Sequence, residues 1–117
     1  HIPLLICGGA LKDEYRGKRN EGLGSQTDIA ATLLHQLKLN ANSYRWSKDL
    51  LDPGAKQFGF YTFDEGFGYT ENGQQVIWNK KFPTLSMNNG ATEEQRDSLK
   101  KKGAAMLQVL MQDFLSK

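Results

Sequence analysis

Residues 58–78, FGFYTFDEGFGYTENGQQVIW, decide the fold class. Phe58, Phe60 and Thr62 alternate with Gly59, Tyr61 and Phe63, the period of two that marks a β-strand. Asp64-Glu65-Gly66 turns the chain, and Phe67 to Glu71 makes a second strand. Asn72-Gly73 is a strong two-residue hairpin signal, because both positions accept the positive φ of a type I′ turn. A two-residue loop fixes the register, setting Glu71 opposite Gln74, Tyr69 opposite Val76 and Phe67 opposite Trp78. Two of these pairs are apolar and share a face, the pairing that stabilises a sheet. Phe82 to Met87 is read as a fourth, edge strand, where Pro83 is tolerated.

Helical patterns lie on both sides of this meander. Ser25 to Leu37, SQTDIAATLLHQL, carries Ile29, Leu33 and Leu37 every four residues with Ala30 and Leu34 beside them, one apolar stripe on a 3.6-residue period. Ser25 is a good N-cap, and Asp28 three residues on completes a capping-box arrangement while placing negative charge at the positive end of the helix dipole. Lys38 lies near the C-terminal end, with Asn40 or Asn42 available to close it. After the sheet, Thr92 and Gln95 form a second capping box, and a long helix is expected from Thr92 to Leu115. Leu99, Met106, Leu107, Leu110, Met111, Phe114 and Leu115 share one broad face. Gly103 lies on that face, where it permits a close backbone approach at a cost of roughly 1 kcal/mol relative to Ala.

The remaining segments are simpler. Ile2 to Cys7 is a continuous apolar run, read as a buried strand of a parallel or mixed sheet and ended by Gly8-Gly9. Residues 10–24 are polar and glycine-rich, a surface loop. Ser47 to Leu51 is expected to make one short helical turn before Pro53-Gly54 breaks it. The fold class is thus α+β: a buried strand, a helix, an antiparallel β-meander and a long C-terminal helix. Residues 1–52 form the strand-loop-helix part and residues 53–117 the small sheet with its helix.

Composition restricts the function classes. The 117 residues are 38% hydrophobic and 24% charged, a globular balance with enough apolar content for one modest core. Net charge is +2 with both signs interspersed, so Lys100-Lys101-Lys102 reads as a solvated helix face and nucleic acid is not an expected partner. The longest apolar run has six residues, too few to span a bilayer, and no signal peptide is recognised. The single cysteine, Cys7, lies in the apolar run and is expected to be a small buried hydrophobe. The chain opens on His1-Ile2-Pro3 and enters a core-type strand at once, the expectation for a piece of a longer polypeptide.

Few residues are candidates for chemistry. No HExxH, CxxC, Walker A or GxSxG motif occurs. His35 is read as a structural residue beside the apolar stripe. His1 precedes the first strand, and strand ends are common sites of ligand contact in α/β proteins, which makes it the one candidate substrate contact. Asp64, Glu65 and Glu71 sit where hairpin turns ordinarily place carboxylates. Phe58, Tyr61, Phe63, Phe67, Tyr69 and Trp78 either pack one sheet face against the last helix or form a stacking platform for sugars or bases. The residues by themselves describe an α+β unit without a self-contained active site.

The order HIPLLICGGAL, polar loop, SQTDIAATLLHQLKL, WSKDLL and FGFYTFDEGFGY resembles the C-terminal part of sulfatase-like proteins of the alkaline phosphatase superfamily, most closely the lipoteichoic-acid-synthase-like phosphoglycerol transferases. Pro3, Gln26, Asp28, Ile29, Thr32, Leu33, Asp49 and Leu50 match the family's IPL strand, Q-x-D-I-x-x-T-L helix and D-L segment. The resemblance implies an α/β parent domain and an enzyme acting on phosphodiesters or sulfate esters. It implies a Thr, Ser or formylglycine nucleophile beside one or two divalent metals (manganese, zinc, magnesium or calcium) that polarise the phosphoryl or sulfuryl oxygen. The family's nucleophile and its Asp-His metal pair match no position of this chain, so no catalytic residue and no metal ligand is assigned here. It further implies that the first strand joins the main sheet, that the chain's main partner is the rest of the catalytic domain, and that the parent is extracytoplasmic and membrane-associated. A non-enzymatic module that binds glycans through the aromatic meander is the alternative. So is an interaction domain that dimerises through the exposed edge of the first strand.

Overall fold

A computed structural model describes residues 2–81, the backbone of 86–87, and residues 92–117. The chain forms two compact units, His1–Gly22 with Gln26–Lys56, and Leu23–Ser25 with Gln57–Lys117. The class is α+β, with an antiparallel sheet and a long C-terminal helix.

In the second unit, strands β1 (Phe58–Phe63), β2 (Gly66–Glu71), β3 (Gln74–Asn79) and β4 (Ser86–Met87) pair in chain order, all antiparallel. The register is the one the hairpin imposes: Phe67 opposite Trp78, Tyr69 opposite Val76, Glu71 opposite Gln74. Asn72 and Gly73 take φ of 52° and 75°, the left-handed pair of a type I′ turn. Ser86 and Met87 pair with Ile77 and Val76 as an edge, and the rest of the expected fourth strand lies outside the described residues. Helix α2 (Glu93–Leu115) begins at the reciprocal cap: Gln95 N donates to Thr92 Oγ1 at 3.3 Å, and Thr92 N donates to Gln95 Oε1 at 2.9 Å. The helix packs on β2 and β3, and the core is Phe67, Tyr69, Val76 and Leu99, with Phe58, Phe60, Trp78 and Leu107 against it. Burying side chains of this size contributes roughly 1.5–3 kcal/mol each. The apolar face of α2 outruns the sheet, so Met111, Phe114 and Leu115 are exposed.

In the first unit a 3-10 turn, Gln26–Asp28, leads into α1 (Ile29–Gln36). Its C-terminus is closed by Lys38, not by Asn40 or Asn42. Lys38 takes φ 58°, its N–H donates to His35 O at 3.2 Å, and Leu39 N donates to Leu34 O at 2.8 Å, the paired bonds of a Schellman motif. Ser47 to Leu51 runs through turns without a helical segment.

Two expectations for this unit are overturned. Ile2 to Cys7 is not a buried strand: it pairs with no strand among the described residues, Ile2 and Leu5 are 78% and 87% exposed, and Cys7 is exposed too. A buried strand requires neighbours, and every strand of the sheet is supplied by the meander. Nor does α1 bury its apolar stripe. Leu33 and Leu37 are 42% and 51% exposed, whereas Asp28, Ala31, Thr32 and Gln36 are buried. The inward face carries polar groups because each has a specific partner.

Candidate functional site

Of the residues that carry the family resemblance, Asp28, Thr32, Asp49 and Leu50 come together in the first unit. Asp28, Thr32 and Gln36 recur at i, i+4, i+8 and form one polar stripe along the helical segment. Asp28 Oδ1 accepts from the Lys48 backbone N–H at 3.0 Å, and its Oδ2 pairs with Lys48 Nζ at 2.5 Å. Thr32 Oγ1 donates to Asp28 O at 2.7 Å and accepts from Leu50 N at 2.9 Å. Ala31 N donates to Ser47 Oγ at 2.8 Å, and Gln36 Oε1 accepts from Lys12 N at 3.2 Å. Helix and S-K-D-L segment are thereby clamped side by side. Buried polar groups need such partners, since an unpaired one costs the full desolvation penalty of about 1–3 kcal/mol.

Asp28 sits at the N-cap of α1 but makes no side-chain cap bond there. Its carboxylate reaches across to Lys48, a residue the sequence reading passed over. The i, i+4 recurrence of Asp28, Thr32 and Gln36 was the available signal, masked by the more conspicuous leucine stripe. His35 is half-exposed, and its Nδ1 lies 3.0 Å from Asp49 Oδ2, so it too ties α1 to this segment. Tyr15 adds a further tie, donating from its hydroxyl to Leu51 O at 3.2 Å. Burial of that hydroxyl, followed by the carboxylates of Glu14, Asp49 and Asp52, pushes the phenol above its ordinary range.

The other candidates disperse. His1 lies outside the described residues. Asp64 is exposed in its turn, Glu65 pairs with Lys81 at 3.1 Å, and Glu71 pairs with Lys102. Cys7 lines a shallow depression with Ile6, Gly8, Gly9, Leu11, Arg16 and Gly17. The Arg16 Nε there is held by Leu11 O at 3.3 Å and Asp13 at 3.1 Å. No group of three or more His, Cys, Asp or Glu side chains is placed to hold a metal ion among the described residues. The described carboxylates and imidazole do not make a donor set for the divalent metal that the resemblance implies, and no chemical step is derived through it.

The aromatic residues divide between the two faces of the sheet. Phe58, Phe60, Phe67, Tyr69 and Trp78 face α2 or border the core, and they stack on one another: Phe67 on Trp78 at 5.6 Å, Phe58 on Tyr69 at 5.8 Å. Tyr61 and Phe63 stand on the opposite face and remain exposed. No helix is long and apolar enough to cross a membrane among the described residues. Comparisons with protein-family models, curated proteins and solved structures returned no match.

Proposed function

We propose that the chain is the C-terminal structural portion of a metal-dependent, sulfatase- or phosphoglycerol-transferase-like enzyme acting on phosphodiesters or sulfate esters, and that it is inactive by itself. The observation that carries this reading is the inversion of the first unit. Helix α1 turns Asp28, Thr32 and Gln36 inward and leaves Leu33 and Leu37 exposed, and the apolar residues Ile2, Leu4 and Leu5 are exposed in a segment that pairs with no strand among the described residues. Large apolar side chains left exposed in this number fit a surface made to be covered. The rest of a catalytic domain is the cover that fits, because an extended apolar segment and a helical stripe are what a parallel sheet and its flanking layer accept.

On this reading the residues shared with the family are architectural. Asp28, Thr32 and Asp49 fix the helix against the S-K-D-L segment, which holds the apolar stripe at a set angle for docking. The nucleophile and the metal ligands belong to the parent, and so does an extracytoplasmic location. Reading the coding sequence upstream of His1 tests the proposal. A continuous frame with a Thr, Ser or Cys nucleophile motif and a later Asp-His pair is expected. A start codon adjoining His1 would overturn it.

A further inference from the structure

The outer face of the sheet carries a feature independent of the parent enzyme. Tyr61 is paired opposite Gly68 and Phe63 opposite Gly66. The Tyr61 ring lies over Gly68, where a Cβ would overlap the ring and stand 2.5 Å from its Oη. Phe63 lies near Gly66: a Cβ there would first meet the backbone oxygen of Trp78 and would stand 2.8 Å from Phe63 Cζ and 3.0 Å from Cε2. Both rings thus lie close to glycine positions of the neighbouring strand and keep part of their surface exposed. Tyr61 and Phe63 remain 45% and 37% exposed, with centroids 6.4 Å apart and planes inclined by 37°. Rings already held against a paired strand lose little freedom when a ligand stacks on them.

The surroundings specify the ligand's chemistry. By register, the outer face carries Tyr61, Phe63, Gly66, Gly68, Thr70, Gln75, Ile77 and Asn79 beside Gly59, which is buried against Gly24. None of these carries a formal charge. The hydrogen-bonding groups are hydroxyl and amide, and Gln75 Nε2 already reaches Tyr61 Oη at 3.4 Å. A shelf without charged side chains, bordered in sequence by a lysine already paired with Glu65, does not suit a nucleotide or an anionic headgroup, each of which needs cationic groups beside the stacking surface. It suits a ring with an apolar face and a rim of hydroxyls.

We propose that Tyr61 and Phe63 form a stacking site for a neutral pyranose, with Gln75 and Thr70 supplying amide and hydroxyl partners at its rim. Trp78 cannot report this binding, because it lies on the opposite face against Phe67. The test is a proton NMR titration of the 117-residue chain with cellohexaose. Saturable shifts of the Tyr61 and Phe63 ring protons are expected, with the Trp78 indole unmoved. Phe63→Ala should weaken binding about tenfold, as the loss of one stacked ring predicts. Tyr61→Phe, which keeps the ring over Gly68, should bind within a few-fold of the parent sequence. Absence of ring shifts at millimolar sugar overturns the proposal, as do shifts that survive unchanged in Phe63→Ala. An outer face that binds only another polypeptide would also leave these rings silent to the sugar. Neither result bears on the upstream coding sequence, so the two proposals fail separately.

Discussion

Gly103 of α2 lies against the ring of Phe67, with no room between them for a methyl group. A Cβ there would overlap Phe67 Cε2 and stand 2.8 Å from Cδ2 and 3.1 Å from Cζ. Phe67 is itself fully enclosed between Phe60, Trp78 and the helix, so its ring has nowhere to retreat.

Two effects oppose each other in Gly103→Ala. Helix propensity favours the alanine by roughly 1 kcal/mol. Overpacking a filled core costs typically 1–3 kcal/mol. Because the obstructing atoms belong to a buried ring, overpacking should win, for a net loss of up to about 2 kcal/mol. Urea unfolding would show a lower midpoint with unchanged slope. Phe67→Leu in the same background should recover part of the loss, and a more stable single variant would refute the packing argument.

The Asp28–Lys48 pair should behave as a unit. Asp28→Asn leaves a largely enclosed ammonium without its counter-charge and should cost about 3 kcal/mol. Lys48→Met leaves the still more enclosed Asp28 carboxylate with the backbone N–H of residue 48 but without its counter-charge, and should cost a similar amount. The double variant should lose clearly less than the two singles added together. Additive losses in denaturant unfolding would show that the pair is not coupled.

Tyr69 predicts an alkaline weakening. Burial first, and then the neighbouring Glu71 carboxylate, push its phenol up to about 12 from an ordinary 10. Between these values the unfolded chain has given up a proton that the folded chain still holds, so stability falls as pH rises. The contribution is complete below pH 10 and is lost as pH passes through about 12. Denaturation midpoints across this window should decline less steeply for Tyr69→Phe than for the parent sequence. Equal slopes would dismiss the assignment.

The sequence was most informative where its signals were local. Asn72-Gly73 set the register of β2 against β3, Thr92 and Gln95 marked the start of α2, and Gly103 announced a close approach. It was least informative where a side chain's partner lay far along the chain. Asp28 is 20 residues from Lys48, and nothing near Asp28 distinguishes a carboxylate that caps its own helix from one that reaches across to another segment. Hydropathy also misjudged Ile2 to Cys7 and the leucine stripe of α1. It records which groups prefer burial, and burial itself depends on a neighbour being present. The aromatic residues of the meander were recognised as a group, but their division into an inner stack and an outer pair follows from a register that had to be applied residue by residue. For the candidate site, Asp28, Thr32 and Asp49 were visible through the family resemblance, while Lys48 emerged only as the partner of Asp28, Ser47 as that of Ala31 and Gln36 as that of Lys12.

The short strip Leu23–Ser25 has a consequence for how the protein behaves at high concentration. Phe60 on β1, the outermost strand on that side, donates its backbone N–H to Ser25 Oγ at 2.8 Å, Gln57 holds Leu23 N at 2.6 Å, and Gly24 lies against Gly59. A strand from another molecule could extend the sheet at Phe60 only by first displacing that hydroxyl. The strip thus acts as a guard against runaway intermolecular β-pairing, a hazard for any sheet with an open side. It is built from one serine and the two residues before it.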